Sequence, residues 1–324
     1  MDVEVLKLGG TALATKKDRE NILEKIKLSK DKKYIIITSA MGRNGFPYST
    51  DTLLSLIKKV TQEEEDRLLS CGETISSITF SSFLIENSIK SKSLSYLNLG
   101  IKKSRKTKEL NVDKKYKYKL LELFNEYDVL VIPGFICKDE NDEVMTLGRG
   151  NSDLSAVIYA DLLDLNEVIL YKDVEGVYPF FHLPITNFKS YDSLSYEEML
   201  LLIDSGCNIV SLDAIKYAKN NSITIKIKPF KSNGSGTVIS DCKLEKKVIG
   251  FFVKNRTFDI VTPFPCLIKE EMHDFFMKDH IIIKSEKISD NHYYFQIDSS
   301  QLLLVKRKII YNYFPLFIKN SIFF

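Results

Sequence analysis

The sequence predicts an α/β fold built on a mainly parallel central sheet, followed by a small α+β module. Three observations carry this. Continuous apolar runs of strand length, such as Tyr34-Ile35-Ile36-Ile37-Thr38, fit strands buried on both faces of a parallel sheet. Strand, loop and helix patterns repeat in that order, the rhythm of an α/β sheet. A polar, charged stretch from Ser240 to Lys247 then marks a boundary, giving one domain over residues 1–240 and a second over 247–324.

In chain order, Val3 to Leu8 alternates and is rich in β-formers, so it reads as a strand running into Gly9-Gly10-Thr11. A helical pattern covers roughly Lys17 to Ser29. After the Tyr34–Thr38 strand comes Ser39-Ala40-Met41-Gly42, a polar loop, and Asp51 as expected N-cap of a helix over Thr52 to Val60. Glu63 to Ile85 reads as one long helix interrupted by Gly72-Glu73-Thr74. Residues 101–120 hold nine basic and two acidic side chains, the pattern of a solvated surface helix or loop. Asp128 to Ile132 is a buried-type strand ending at Pro133-Gly134-Phe135. A hairpin-like segment with a polar turn (Lys138 to Asp142) leads to Gly148-Arg149-Gly150-Asn151-Ser152-Asp153, which opens a helix. Glu167 to Tyr171 and Ile223 to Ile227 are strands, separated by helices over Ser195 to Ser205 and Leu212 to Asn220; Thr237 to Ile239 is a short one. Beyond the boundary the order is strand (Val248 to Val261), helix (Leu267 to Met277), strand (Ile281 to Lys287), strand (His292 to Ile297), helix (Gln301 to Tyr313): a βαββα module.

Bulk properties narrow the function. The 46 basic and 43 acidic residues nearly balance at +3, which gives no reason to expect nucleic acid or a membrane surface as partner. Five dispersed cysteines without a CxxC read as reduced and intracellular, so a cytoplasmic location is expected. Four histidines form no ligand spacing, and no protein-held metal site is expected. Met1-Asp2-Val3-Glu4 carries acid where a signal peptide carries base. No apolar run reads as long enough to span a bilayer.

The chemistry concentrates in small-residue turns after strands. Turns at the carboxyl ends of parallel strands converge on one ligand region. Gly148-Arg149-Gly150 followed by a helix start combines close backbone approach, free N–H groups and a planar donor fork, which together suit an anion. Taken alone, the same stretch is equally a tight turn with Ser152 or Asp153 as N-cap. Lys7 beside the Gly9-Gly10 turn puts a point charge and N–H donors together, as phosphoryl transfer requires. The spacing of a Walker A loop is absent.

Seven stretches in order resemble the motifs of the aspartate kinase family, within the amino acid kinase superfamily. They are Lys7-Leu8-Gly9-Gly10-Thr11, Ser39-Ala40-Met41-Gly42, Thr50-Asp51-Thr52-Leu53-Leu54, Cys71-Gly72-Glu73-Thr74-Ile75-Ser76, Gly134-Phe135, Leu147 to Asp153, and Asp173-Val174-Glu175-Gly176-Val177-Tyr178. Ser39 to Leu54 and Leu68 to Ser77 look closest to the diaminopimelate-pathway form of Gram-positive bacteria. The resemblance implies an amino acid kinase-like three-layer sandwich followed by a single, divergent ACT-like domain. It implies transfer of phosphate from ATP, with Mg²⁺ carried by the nucleotide, to the side chain of L-aspartate. It also implies a homodimer or higher homo-oligomer. By the same resemblance Lys7 and Asp153 are catalytic. Ser39, Ala40, Thr50, Glu73, Phe135, Arg149 and Ser152 line the aspartate pocket, with Glu73 on the α-amino group and Arg149 on the α-carboxylate. Lys7, Gly9, Gly10, Asp173 and Tyr178 serve the nucleotide, and Lys172, which departs from the family, is expected at the same place.

The sequence departs from the family on the nucleotide side. The family's Gly-Gly-Ser-Asp reads Gly150-Asn151-Ser152-Asp153, with asparagine expected to tolerate a positive φ. Its Thr-Asp reads Lys172-Asp173, its Asp-Pro-Arg is replaced by Pro179-Phe180-Phe181-His182, and its Gly-Ala-Lys-Val reads Gly206-Cys207-Asn208-Ile209. Two cations are thereby lost. One reading is an active kinase in which Lys172 restores part of that charge; the other is a catalytically impaired, aspartate- or effector-binding regulatory subunit. The glycines usual in effector loops are absent between Thr257 and Lys269, so feedback by lysine or threonine is not expected.

Overall fold

A computed structural model describes residues 2–27, 31–181, 189–242 and 246–315. The chain forms two compact units, Met1–Gly176 with Ile209–Ser240, and Val177–Asn208 with Asp241–Phe324. His182, part of the altered stretch after Tyr178, lies outside the described residues.

In the first unit a main sheet contains β1 (Val3–Leu8), β2 (Lys33–Thr38), β3 (Ser91–Ser93), β4 (Val129–Pro133), β5 (Glu167–Lys172), β6 (Thr224–Pro229) and β7 (Thr237–Ser240). Their order across the sheet is β7-β6-β5-β1-β2-β4-β3. All neighbours run parallel except β6 and β7. β1 and β2 pair from Val3 opposite Lys33 to Leu8 opposite Thr38, and Thr38 pairs with Pro133. The parallel register therefore brings Gly9, Ser39, Gly134 and Asp173 out at one edge, each just past a strand's carboxyl end.

Strand alternation assigns the faces. Leu6, Leu8, Ile36, Val129, Val131, Ile169 and Tyr171 share a core cluster with Ile22, Leu23 and Ile26 of the Lys16–Lys27 helix and with Phe80, Phe83 and Leu84 of the Gln62–Glu86 helix. Lys7, Leu170 and Lys172 must then point to the opposite face. That face is covered by the Ser152–Leu162 helix, which packs on β1, β2 and β5 and is buried almost throughout. Helices on both faces of a largely parallel sheet give the expected three layers.

Several local expectations are corrected. Ser49, not Asp51, caps the helix after the Arg43 loop by accepting from the Thr52 amide, and that helix spans only Thr50–Ser55. Asn151 is the N-cap of the Ser152–Leu162 helix and makes no side-chain capping bond there. The basic stretch is not simply a surface helix or loop. Ile101–Lys103 and Leu110–Val112 form an antiparallel pair in a second sheet with Ile136–Lys138 and Val144–Thr146, and Ile101 is fully buried. The Gln62–Glu86 helix, started by a capping box between Thr61 and Glu64, is long and apolar enough to cross a bilayer, contrary to expectation. Half of its apolar window is buried inside the protein, where it packs on β4, β3 and the Val144–Thr146 strand.

The second unit has its own sheet, ordered Phe180–Phe181, Gly250–Lys254, Thr257–Val261, His292–Ile297, Ile283–Ser289. The stretch expected as one strand over Val248 to Val261 is a hairpin, turned by Asn255 at φ +58. The resulting ββαββα order has one more strand than the sequence suggested. Its core is aromatic: Phe258 stacks on Phe295 at 4.9 Å, and Phe314 meets Phe251 edge-on at 5.1 Å.

Candidate active site

The centre of the site is a buried charge cluster. Lys7, near the end of β1, lies 2.8 Å from Asp153 Oδ1, in the first turn of the Ser152–Leu162 helix. Lys172, the last residue of β5, donates to Asp153 Oδ1 at 3.0 Å and Oδ2 at 2.8 Å. All three side chains are largely shielded from solvent. Burial alone would raise the Asp153 carboxyl; the Lys172 and Lys7 ammonium groups outweigh it and hold the pKa at about 2. Burial also lowers Lys172 to about 8, with Lys7 adding repulsion and Asp153 opposing both. With one carboxylate between two ammonium groups, the charged cluster carries a net positive charge. It suits an anion. Among the described residues no group of three or more His, Cys, Asp or Glu is placed to hold one.

The turns around the cluster are interlocked. Gly42 N–H donates to Gly10 O at 2.9 Å, and a Cβ on Gly10 would lie 2.2 Å from Ala40 O. Gly134 N–H donates to Thr38 O at 2.8 Å, and its Cβ would lie 2.7 Å from Ser152 Cβ. Phe135 is buried at φ +42 and its N–H donates to Ser155 Oγ. Ser39 is fixed through its carbonyl, which accepts from Ser76 Oγ at 2.7 Å. Thr50 opens the short helix capped by Ser49.

Glu73 lies on the Gln62–Glu86 helix and is 1% exposed. Gly72 beside it has no space for a side chain: a Cβ there would lie 2.7 Å from Tyr48 O. Burial raises the Glu73 carboxyl to about 8, against hydrogen bonds from the Ala40 and Gly134 backbone and attraction by Lys7. Its Oε2 has no hydrogen-bond partner among the described residues. Lys7, Ala40, Gly134, Glu73, Ser152 and Asp153 are thus brought together at the strand ends.

Other sequence-predicted residues fall differently. Arg149 is exposed in the turn, with no hydrogen bond or ion pair among the described residues. Asp173 is paired with Arg43, a residue sequence reasoning did not single out. Tyr178 belongs to the second unit. Asn151 has φ −87, so it does not occupy the positive φ considered for it; Gly148 at +114 and Gly150 at +78 carry that conformation. Asn151 instead donates to Leu147 O at 3.1 Å and to Asp213 Oδ2 at 2.9 Å.

A second network was also missed. Arg105 donates to Asp139 Oδ2 at 2.7 Å, Asp66 Oδ2 at 3.0 Å and Val144 O at 3.0 Å, and Thr146 Oγ1 donates to Asp66 Oδ1 at 2.7 Å. Its members are scattered over eighty residues of sequence, with no spacing to connect them. It fixes the small sheet to the helix that carries Glu73.

A model of the amino acid kinase family matches residues 2–229. The chain belongs to the amino acid kinase family. It is 32% identical over 246 residues to aspartokinase 1 of Bacillus subtilis, covering 74% of this chain and 61% of that one. It is 28% identical over 260 residues to the aspartokinase of Corynebacterium glutamicum, covering 77% and 61%. The chain therefore spans about three fifths of the length of these curated relatives. Among solved structures, aspartate kinase from Synechocystis superposes with TM-score 0.65 at 23% identity, covering 94% of this chain and 54% of that one. E. coli aspartokinase III in complex with aspartate and ADP gives 0.66 at 17%, covering 92% and 79%. These likenesses show the amino acid kinase fold.

Proposed function

We propose that this protein is an aspartate kinase, transferring the γ-phosphoryl group of MgATP to the side-chain carboxylate of L-aspartate to give 4-phospho-L-aspartate and ADP. The single observation that supports it most is the buried Lys7–Asp153–Lys172 cluster beside the Gly9-Gly10 turn. A carboxylate nucleophile with an ordinary pKa of about 3.9 is already ionised at neutral pH, so no general base is required. The protein has instead to hold two anions close and neutralise their repulsion. In this reading Lys7 and the Gly9 and Gly10 amides meet the transferring phosphoryl group. Lys172 replaces a missing phosphate-side cation, and Asp153 sets the positions of both lysines. Glu73 takes the α-amino group of aspartate and Arg149 its α-carboxylate, with Ser39, Ala40, Thr50, Phe135 and Ser152 lining the pocket. Asp173 stands at the nucleotide. Mg²⁺ supplies charge neutralisation between the phosphates and arrives with ATP.

The relatives' names support the substrate. The strands Gly250–Lys254, Thr257–Val261, His292–Ile297 and Ile283–Ser289 support an ACT-like module over 247–324 after a kinase domain over 1–240, although Val177–Asn208 groups with the second unit. We place the protein in the cytoplasm as a homo-oligomer, opening the route to lysine through diaminopimelate and to threonine and methionine. A coupled assay of ADP release with and without L-aspartate is the test. Aspartate-dependent turnover is the expected result. ATP binding by calorimetry without any aspartate-dependent turnover favours the regulatory-subunit reading and overturns this one.

A further inference from the structure

Glu73 is a buried carboxyl group with one oxygen unengaged at the ends of the strands. An orphaned polar atom in such a place is costly unless the group is neutral or a ligand completes it. The groups facing it are few. The Ala40 amide comes from the turn after β2, the Gly134 amide from the turn after β4, and the Lys7 ammonium from β1. Ser76, one turn further along the same helix, is engaged by the Ser39 carbonyl. Lys7 is itself held at 2.8 Å from Asp153, a carboxylate it shares with Lys172.

We infer that Glu73 carries a proton in the empty site and gives it up to solvent when the substrate's ammonium group arrives, so that aspartate binding is coupled to proton release. The inference rests on the aspartate reading above and adds to it a protonation step. The balance is simple: a neutral carboxylic acid and a substrate ammonium become a carboxylate–ammonium pair, and one proton leaves to the buffer. No bond in the substrate changes. Oε2 gains the donor it lacks. The position of the carboxyl's titration, near pH 8, supports a neutral acid at pH 7. Lys172 titrates in the same range, but an arriving anion favours its charged form. Any contribution from it is proton uptake, opposite in sign.

The consequence is that aspartate affinity rises with pH, by about tenfold per unit up to about pH 8, and then levels off. Isothermal calorimetry on the intact chain, with L-aspartate titrated at pH 7 in two buffers of different ionisation enthalpy, reads the proton count directly. Release of close to one proton per aspartate is expected. Succinate, which lacks the amine, is expected to bind without releasing a proton. Glu73→Gln, neutral and similar in shape, is expected to lose the proton release for aspartate. Aspartate binding with no proton exchange in the unaltered protein overturns the inference and leaves the substrate reading standing. Release of the same proton with succinate, or its persistence in Glu73→Gln, overturns the assignment to Glu73. Absence of any aspartate binding overturns the substrate reading and this inference with it.

Discussion

Lys172 donates to both oxygens of Asp153, while Lys7 holds one of them from the neighbouring strand. The parallel register makes this possible: β5 lies beside β1, and Lys172 is two residues beyond Leu170, which pairs with Lys7. A lysine at the end of β5 therefore reaches the same carboxylate as one in β1.

If Lys172 supplies phosphate-side charge, Lys172→Met raises the apparent ATP requirement by at least about tenfold. The pH profile separates charge from packing. Lys172 is lowered to about 8, so in the unaltered protein ATP affinity weakens as pH rises through that value. The variant has no such group and loses that inflection. Steady-state kinetics from about pH 6.5 to about pH 9 check both, and an unchanged ATP dependence refutes the role.

Asn151 stands where the family has glycine, yet its backbone does not need one. Asn151→Gly removes the bonds to Leu147 O and Asp213 Oδ2 and loosens the turn that carries Arg149. A loss of about 1–2 kcal/mol in urea unfolding is expected, together with a higher aspartate requirement. A neutral effect on both would show that the side chain has no anchoring role.

Arg105→Ala leaves Asp66 and Asp139 buried without their cation. Such a change costs about 3–5 kcal/mol at neutral pH. Burial opposes ionisation of Asp139, but the Arg105 hydrogen bond and the Glu143 and Asn141 amides lower its pKa below the usual value. Its stabilising contribution is therefore present above the unfolded carboxylate pKa and lost as pH falls. The gap between variant and parent should narrow in acid, which denaturant titrations at several pH values measure.

In the second unit, His292 Nδ1 lies 2.8 Å from Asp259 Oδ1, and this hydrogen bond raises the imidazole pKa, aided by the charges of Asp259 and Asp204 and opposed by burial. A raised histidine stabilises fully below its unfolded pKa of about 6.5, and that contribution disappears as pH rises through the folded value. His292→Gln should flatten this part of the thermal midpoint's pH dependence. A parallel shift at all pH values would show a packing role alone.

Local pattern made much of the main sheet legible. The apolar runs of β2 and β4 admit little besides buried strands, and glycines at 148 and 150 marked a turn that does use positive φ. What escaped was long-range. Nothing near Asn151 announces Asp213, and nothing near Asp66 announces Arg105, because such partners meet only once the chain has folded. Arg43 reads in sequence only as part of a polar loop, although it pairs with Asp173. The missed hairpin at Asn255 was within reach: Lys254-Asn255-Arg256 is a polar tip between two apolar arms.

The closeness of Gly10 to the next turn has an evolutionary reading. With a Cβ at 2.2 Å from one backbone oxygen and 2.6 Å from another, no rotamer choice relieves the clash, since both obstacles are main chain. A library randomised at position 10 and selected only for folded protein should return glycine alone. Such a residue tells a sequence comparison about the spacing of two loops, and carries no information on which substrate they enclose.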